Sequence, residues 1–248
     1  MSIYMTGDIH GGIDMHKLSK KELKRNGISI KESDFLVILG DFRLPFFDSD
    51  LDPHSKTYGE YRYWIKWLGE KPYTILWIDG NHDNFNFWER REITERFGGK
   101  VHVHPNAPNV IHLMRGEIYE IDGKSCLAFG GAASTDRAYR KPGYSWWEQE
   151  TASEEDKQNA RDNLRRHGGQ VDYVFTHTPP TSIRRMIPGM YEYPDATADF
   201  LDLLGLEMNY KAWFSGHIHL DIALKSLKFA SFYNTVLNAE DVAESFEE

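Results

Sequence analysis

Apolar residues in this chain gather in short runs, with polar stretches of helical spacing between them. Residues 3–6, 35–39, 73–78, 171–176 and 212–215 read as strands. They stop at Gly7-Asp8, Gly40-Asp41, Asp79-Gly80-Asn81-His82, His177 and Gly216-His217. Short, nearly continuous apolar runs that end in turn residues predict strands buried on both faces. Residues 14–25, 58–68, 85–97, 153–167 and 196–206 predict helices. Asn26-Gly27 stops the first of these, and Ser153 before Glu154, Glu155 and Asp156 starts the fourth. Tyr61, Trp64, Ile65 and Leu68 share one face of the second, a stripe that reads as core-facing. Residues 101–103, 110–114, 117–121 and 125–129 predict strands joined by short turns, with Asp122-Gly123 marking a hairpin. Residues 222–237 read as closing strands and 240–248 as an acidic, solvated C-terminal tail. No repeat or linker interrupts this pattern, which predicts one α/β domain over residues 1–239.

Composition narrows the picture. A chain of 248 residues can bury roughly three quarters of its unfolded surface and needs no staple. The net charge of -9 argues against bulk, non-specific binding to nucleic acid or to an anionic membrane. The single cysteine, Cys126, excludes an internal disulfide and a thiolate metal cluster. It lies in an apolar segment and reads as a small buried hydrophobe. The first residues show no basic, apolar leader, and no run has the length of a membrane span. The expected setting is a soluble, reducing compartment, most simply the cytoplasm.

Metal-binding side chains sit at the ends of the predicted strands. Asp8 and His10 point to the same side if their segment stays extended. The other ends carry Asp41, then Asn81-His82-Asp83, then His177, then His217-Ile218-His219. With His82 set aside, the ligand set is two Asp, one Asn and four His. Carboxylate, amide carbonyl and imidazole without thiolate suit Mn2+, Fe or Zn2+. The set is too large for one transition metal and right for two that share a carboxylate.

In order and spacing these motifs resemble those of the calcineurin-like metallophosphoesterase family, from about residue 3 to 221. The resemblance implies an α/β four-layer sandwich, two mixed β-sheets packed face to face and flanked by helices. It implies two divalent transition metal ions, Mn2+ first, with Fe or Zn2+ as the others. Asp8, His10 and His219 would bind one metal, and Asn81, His177 and His217 the second, with Asp41 bridging. His82 would stand near the leaving group as proton donor or as positive charge on the phosphoryl oxygens. The implied reaction is hydrolysis of a phosphomonoester or phosphodiester by in-line attack of a metal-bridging hydroxide, with no protein nucleophile. No Gly-x-Ser-x-Gly elbow, Gly-rich phosphate loop or Cys nucleophile competes with that chemistry.

One departure bears on the substrate. The protein phosphatase branch continues Gly-Asp as x-x-Asp-Arg-Gly, and this chain has Leu44 and Pro45 at the Asp and Arg positions. Asp83 is then the candidate to orient His82, and Arg43 the nearest replacement cation. Residues 134–147 mix Arg137, Arg140 and Lys141 with Tyr139, Tyr144, Trp146 and Trp147. Such a loop suits a phosphate with a stacked base or sugar, or it is a packed surface loop anchored by its tryptophans. The expected partner is a phosphate-ester substrate, a small organic phosphate or a nucleotide-type ester. A nuclease of short strand ends, a protein phosphatase and a non-catalytic scaffold are the alternatives. His102 and His104 read as an exposed strand face, with a surface metal pair as the other reading. Arg184 and Arg185 read as solvated helix charges.

Overall fold

The computed structural model describes residues 1–190 and 193–247. Two β-sheets lie face to face. The chain first builds β1 (Ile3–Thr6), β2 (Phe35–Ile38), β3 (Thr74–Trp77), β4 (Ile93–Arg96), β5 (Gly99–His104) and β6 (Ala107–Leu113). It then crosses to β7 (Ile118–Ile121), β8 (Lys124–Phe129), β9 (Tyr173–Thr176), β10 (Ala212–Ser215), β11 (Ile222–Leu224) and β12 (Phe229–Ser231), and returns with β13 (Leu237–Asn238). The first sheet runs β13-β1-β2-β3-β6-β5-β4 and the second β11-β12-β10-β9-β8-β7. Strands β1, β2, β3 and β6 are mutually parallel, as are β8, β9, β10 and β12, and antiparallel strands flank both groups.

The helices are α1 (Lys20–Arg25), α2 (Tyr58–Gly69), α3 (Phe85–Glu89), α4 (Glu154–Arg166), α5 (Thr181–Met186), α6 (Ala196–Leu206) and α7 (Ala239–Glu244). Period-two alternation along the parallel strands divides the core. Met5, Val37, Leu76, Phe175 and Phe214 fill the space between the sheets. Leu36, Ile38, Ile75 and Trp77 face outward and meet Tyr61, Ile65 and Leu68 of α2. Val174 and Trp213 face the other way and meet Leu164 of α4 and Phe200, Leu201 and Leu204 of α6. The result is the expected layering of helix, sheet, sheet and helix. Ser153 caps α4, accepting from the backbone N–H of Asp156 at 3.1 Å. Cys126 is buried between the sheets. No helix among the described residues is long and apolar enough to cross a membrane.

Three expectations need correction. The helix expected over 85–97 stops at Glu89, and β4 pairs antiparallel with β5. Phe97 and Gly98 take positive φ values of 54° and 83°, the conformation of a tight two-residue hairpin turn. The helix expected over 14–25 is split by Ser19, which caps α1 after a 3-10 turn at Met15–Leu18. The stretch from Glu240 is not a solvated tail over the described residues, which end at Glu247. It lies mostly in α7, whose Ala239 is buried and whose Val242 and Ala243 pack with Phe246 on the inter-sheet core. Glu248 lies outside the described residues.

The docked helix has a measurable consequence. Ending the chain after Asn238 removes those apolar contacts, and we expect a loss of roughly 2–4 kcal/mol of stability. The urea unfolding midpoint reads it directly, and an unchanged midpoint would mean that α7 is not docked.

Candidate metal centre

In each sheet the parallel strands aim their carboxyl ends the same way, so the loops after β1, β2, β3, β9 and β10 meet at one crevice. The approach is close because glycines stand at the ends. A Cβ on Gly40, whose φ is +98°, would lie 2.0 Å from His177 Nδ1. One on Gly80 would lie 2.2 Å from Asp41 Oδ1. The loops also hold non-glycine residues in the left-handed region, His10 at 43°, Asp41 at 49°, His217 at 67° and His219 at 53°. Each such residue costs about 1–2 kcal/mol and persists only where its surroundings fix it.

Two groups of acceptors face each other across Asp41. In the first, donor atoms of Asp8, His10 and His219 all lie within 4.8 Å of one another. His219 Nε2 is 3.0 Å from Asp8 Oδ2, a buried oxygen with no hydrogen-bond partner among the described residues. His10 Nδ1 is held by Asp14 Oδ2 at 2.7 Å, and its Nε2 points at Asp41 Oδ2, 3.2 Å away. In the second group, His177 Nδ1 donates to the Leu39 carbonyl at 2.8 Å. In the neutral ring that leaves the Nε2 lone pair facing Asn81 Oδ1 at 3.1 Å and Asp41 Oδ1 at 3.4 Å. Asn81 Nδ2 donates to Ser134 Oγ at 3.0 Å, which turns the amide oxygen toward His177. The His217 ring lies 4.8 Å from the His177 ring, with its Nε2 on the Tyr193 hydroxyl at 2.5 Å. Asp41 therefore presents one carboxylate oxygen to each group.

Lone pairs aimed at one another this closely require positive charge between them. Burial opposes charge on His10, but its hydrogen bond to Asp41 and the charges of Asp41 and Asp8 lift its pKa to about 9. His177 is raised against the same burial by Asp41 and Asp8. Burial alone would raise Asp41, yet the charge on His177 and the hydrogen bond from His10 hold it well below the usual carboxylate range. His217 is pushed down to about 3, first by burial and then by His177. The two carboxylates thus draw positive charge onto His10 and His177, where bound cations would sit, and the donor set fits hard to borderline divalent metals.

A family model described as calcineurin-like phosphoesterase matches residues 1–221. The chain belongs to that family. It is accordingly a phosphoester hydrolase of a metal-dependent family. A search of the curated proteins gives no match. One solved chain is 12% identical with a TM-score of 0.52, over 97% of this chain and 95% of its own length, and it supports the fold. PptH, a phosphopantetheinyl hydrolase from Mycobacterium tuberculosis, is 14% identical with a TM-score of 0.43, over 94% of this chain and 90% of its own. A candidate 5'-nucleotidase from Staphylococcus aureus, solved with alpha-ketoglutarate, is 15% identical with a TM-score of 0.43 over 94% of this chain. This phosphoesterase chain spans about half of that longer protein, 48% of its length.

The remaining candidates of the phosphoesterase divide. His82 stands at the rim, its backbone N–H donating to Asp41 Oδ1 at 2.8 Å and its ring 5.9 Å from that of His10. Burial, then the charges of Arg140, Arg43 and His10, push its pKa down to about 4 against the pull of Asp41. Asp83 is not found orienting that ring. Its carboxylate accepts the backbone N–H groups of Arg43 at 2.6 Å and Gly80 at 2.7 Å, tying two loops together. Arg43 is half-buried with its guanidinium 4.1 Å over the Phe46 ring. Arg137 is exposed and lies 3.9 Å over Trp146. Trp147 is buried beside Phe46 and Phe85 and anchors the loop. Arg140 spends its guanidinium on protein acceptors, including Asp136 at 2.8 Å, the Asn81 carbonyl at 3.0 Å and Glu150 at 3.1 Å. His102 and His104 are buried, not exposed, because their strand face turns toward α2 and α3. His104 Nε2 meets the Tyr61 hydroxyl at 3.1 Å, and the His102 ring stacks on His112. Arg184 is likewise buried, 4.5 Å over the Tyr193 ring, and is no solvated charge.

Sequence reasoning missed the groups behind the ligands. Asp14 had a signal, since it stands four residues after His10. Tyr193 and Glu150 had none. Lys17 is buried, and its ammonium donates to the carbonyls of Gly7 at 3.2 Å, Asp8 at 2.6 Å and Tyr233 at 2.5 Å. Burial lowers its pKa to about 8 against the charges of Asp8, Asp14 and Asp221. Lys17→Met leaves those carbonyls without their donor, and we expect it to destabilise the fold by roughly 2–4 kcal/mol. Urea denaturation checks this, and an unshifted midpoint would contradict the clamp.

Proposed function

We propose that this phosphoesterase uses a binuclear metal centre to hydrolyse phosphomonoesters or phosphodiesters of small organic or nucleotide type. The observation that carries the reading is Asp41, which turns Oδ2 toward His10 and Oδ1 toward His177. Asp8, His10 and His219 would hold one ion, and Asn81, His177 and His217 the other. Mn2+ fits this mixed oxygen and nitrogen set first, with Fe or Zn2+ next. When bound, two such ions would lower the pKa of a water between them and offset charge on the phosphoryl oxygens.

The protein's own groups supply the rest. Asp14 and the Leu39 carbonyl hold the outer ring nitrogens of His10 and His177, which fixes the orientation of both rings. With one ring nitrogen accepting from Arg140, His82 would use the other to donate to the leaving-group or phosphoryl oxygen. Beside His10 a cavity of about 220 Å³, lined by Arg43, Phe46, Phe47 and Tyr61 among others, offers room for the organic part of an ester. A soluble, cytoplasmic setting is part of the same proposal, in keeping with a sequence that holds a single cysteine.

The test is to strip the purified protein with chelator and restore Mn2+, Fe2+, Zn2+ or Mg2+ singly, assaying aryl phosphomonoesters and phosphodiesters. We expect turnover to return with one or two of these ions. His82→Ala should lower kcat by about 100-fold or more. Asp41→Asn should lose activity together with bound metal. Full metal-dependent activity in either variant would overturn the assignment.

A further inference from the structure

The exchange of Asp for Leu44 leaves His82 without the carboxylate expected to orient it, and Leu44 is itself buried in the apolar cluster under α2. We infer that Glu150 takes over this task, as the hub of a side-chain ring that positions both His82 and Asn81. This inference rests on the metal-centre reading above.

Glu150 is 1% exposed, and both its oxygens are engaged. Oε2 accepts from the Ser134 hydroxyl. Oε1 accepts from Arg140 Nη1 at 3.1 Å and from the Trp147 backbone N–H at 3.2 Å. Ser134 and Arg140 then reach the loop after β3, Ser134 at the Asn81 side chain and Arg140 at the Asn81 carbonyl and the His82 ring. Ser134 has given its one proton to Glu150, so its oxygen must accept, and it accepts from Asn81 Nδ2 at 3.0 Å. That fixes the amide with its oxygen, not its nitrogen, toward His177 and the metal side. Arg140 Nη1 donates to the Asn81 carbonyl at 3.0 Å, and its Nη2 lies 2.8 Å and 2.9 Å from the two nitrogens of the His82 ring. Its Nε is spent on Asp136. The guanidinium side chain is only 7% exposed, so it is built as a brace for the histidine and not as a free phosphate ligand.

The two arms separate experimentally. Calorimetric titration of Mn2+ into metal-stripped Ser134→Ala should show one of the two ions bound about tenfold more weakly and the other unchanged, since a ligand has lost its orienting partner. Arg140→Lys, fully loaded with Mn2+, should lower kcat on an aryl phosphomonoester by roughly 10- to 100-fold at unchanged KM, because the histidine is misplaced. Glu150→Gln keeps the shape with one acceptor oxygen instead of two and should show both effects. Thermal unfolding of each variant separates these losses from misfolding, and Ser134→Ala and Arg140→Lys carry the test if Glu150→Gln does not fold. Unchanged affinity for both ions in Ser134→Ala overturns the inference. So does an Arg140→Lys enzyme that raises KM and keeps kcat, which would make Arg140 a substrate ligand. Wild-type protein that takes up no Mn2+ overturns the metal-centre reading and this inference with it.

Discussion

A carboxylate buried at the end of a central strand governs this molecule. Asp41 is 1% exposed, and an unpaired ion in that position would cost several kcal/mol. The chain offsets that cost with the His82 backbone N–H and with His10 and His177, one on each side. Asp8, fully buried nearby, adds a second negative charge. Two buried carboxylates facing imidazole lone pairs make a site whose physical requirement is positive charge. Metal affinity is on this view the resolution of an electrostatic strain that the fold creates.

The fold creates it by layering. The central parallel strands β1, β2, β3, β9 and β10 are buried along most of their length, so their charged residues collect in the loops after them. Two sheets packed face to face bring those ends to a common edge. His177 from β9 in one sheet can then meet Asp41 from β2 in the other, through a gap that Gly40 keeps open. Behind the edge, Lys17 ties Gly7 and Asp8 to Tyr233, and Asp83 ties the loops after β2 and β3 together. At the edge itself the His10 N–H donates to the Asp41 carbonyl and the His217 N–H to Asp8 Oδ1, bonds among residues of which all but Asp8 sit at positive φ.

This explains what could be read from the sequence. Continuous apolar runs with Asp, Asn and His at their ends are legible because burial on both faces leaves no other pattern, and those ends do converge. The supports were not legible. Asp83 follows His82 in the chain, but two backbone N–H groups claim its oxygens, so adjacency misled. Glu150 is far along the chain from Asn81, and its segment reaches the crevice through tertiary contacts: Trp147 packs against Phe46 and Phe85, the Ala132 N–H donates to the Glu150 carbonyl, and Arg115 donates to the Gln149 carbonyl. His102 and His104 looked exposed because alternation tells which residues share a face and not what covers it. The apolar side of α7 was masked by its acidic composition.

The central claim is that one carboxylate joins two metal sites. Electron paramagnetic resonance of the stripped protein reconstituted with Mn2+, alongside a metal count, tests it most directly. We expect two manganese ions per chain and the broad spectrum of an exchange-coupled pair, collapsing in Asp41→Asn. A single bound ion with an isolated six-line spectrum, or two uncoupled ions, would contradict it.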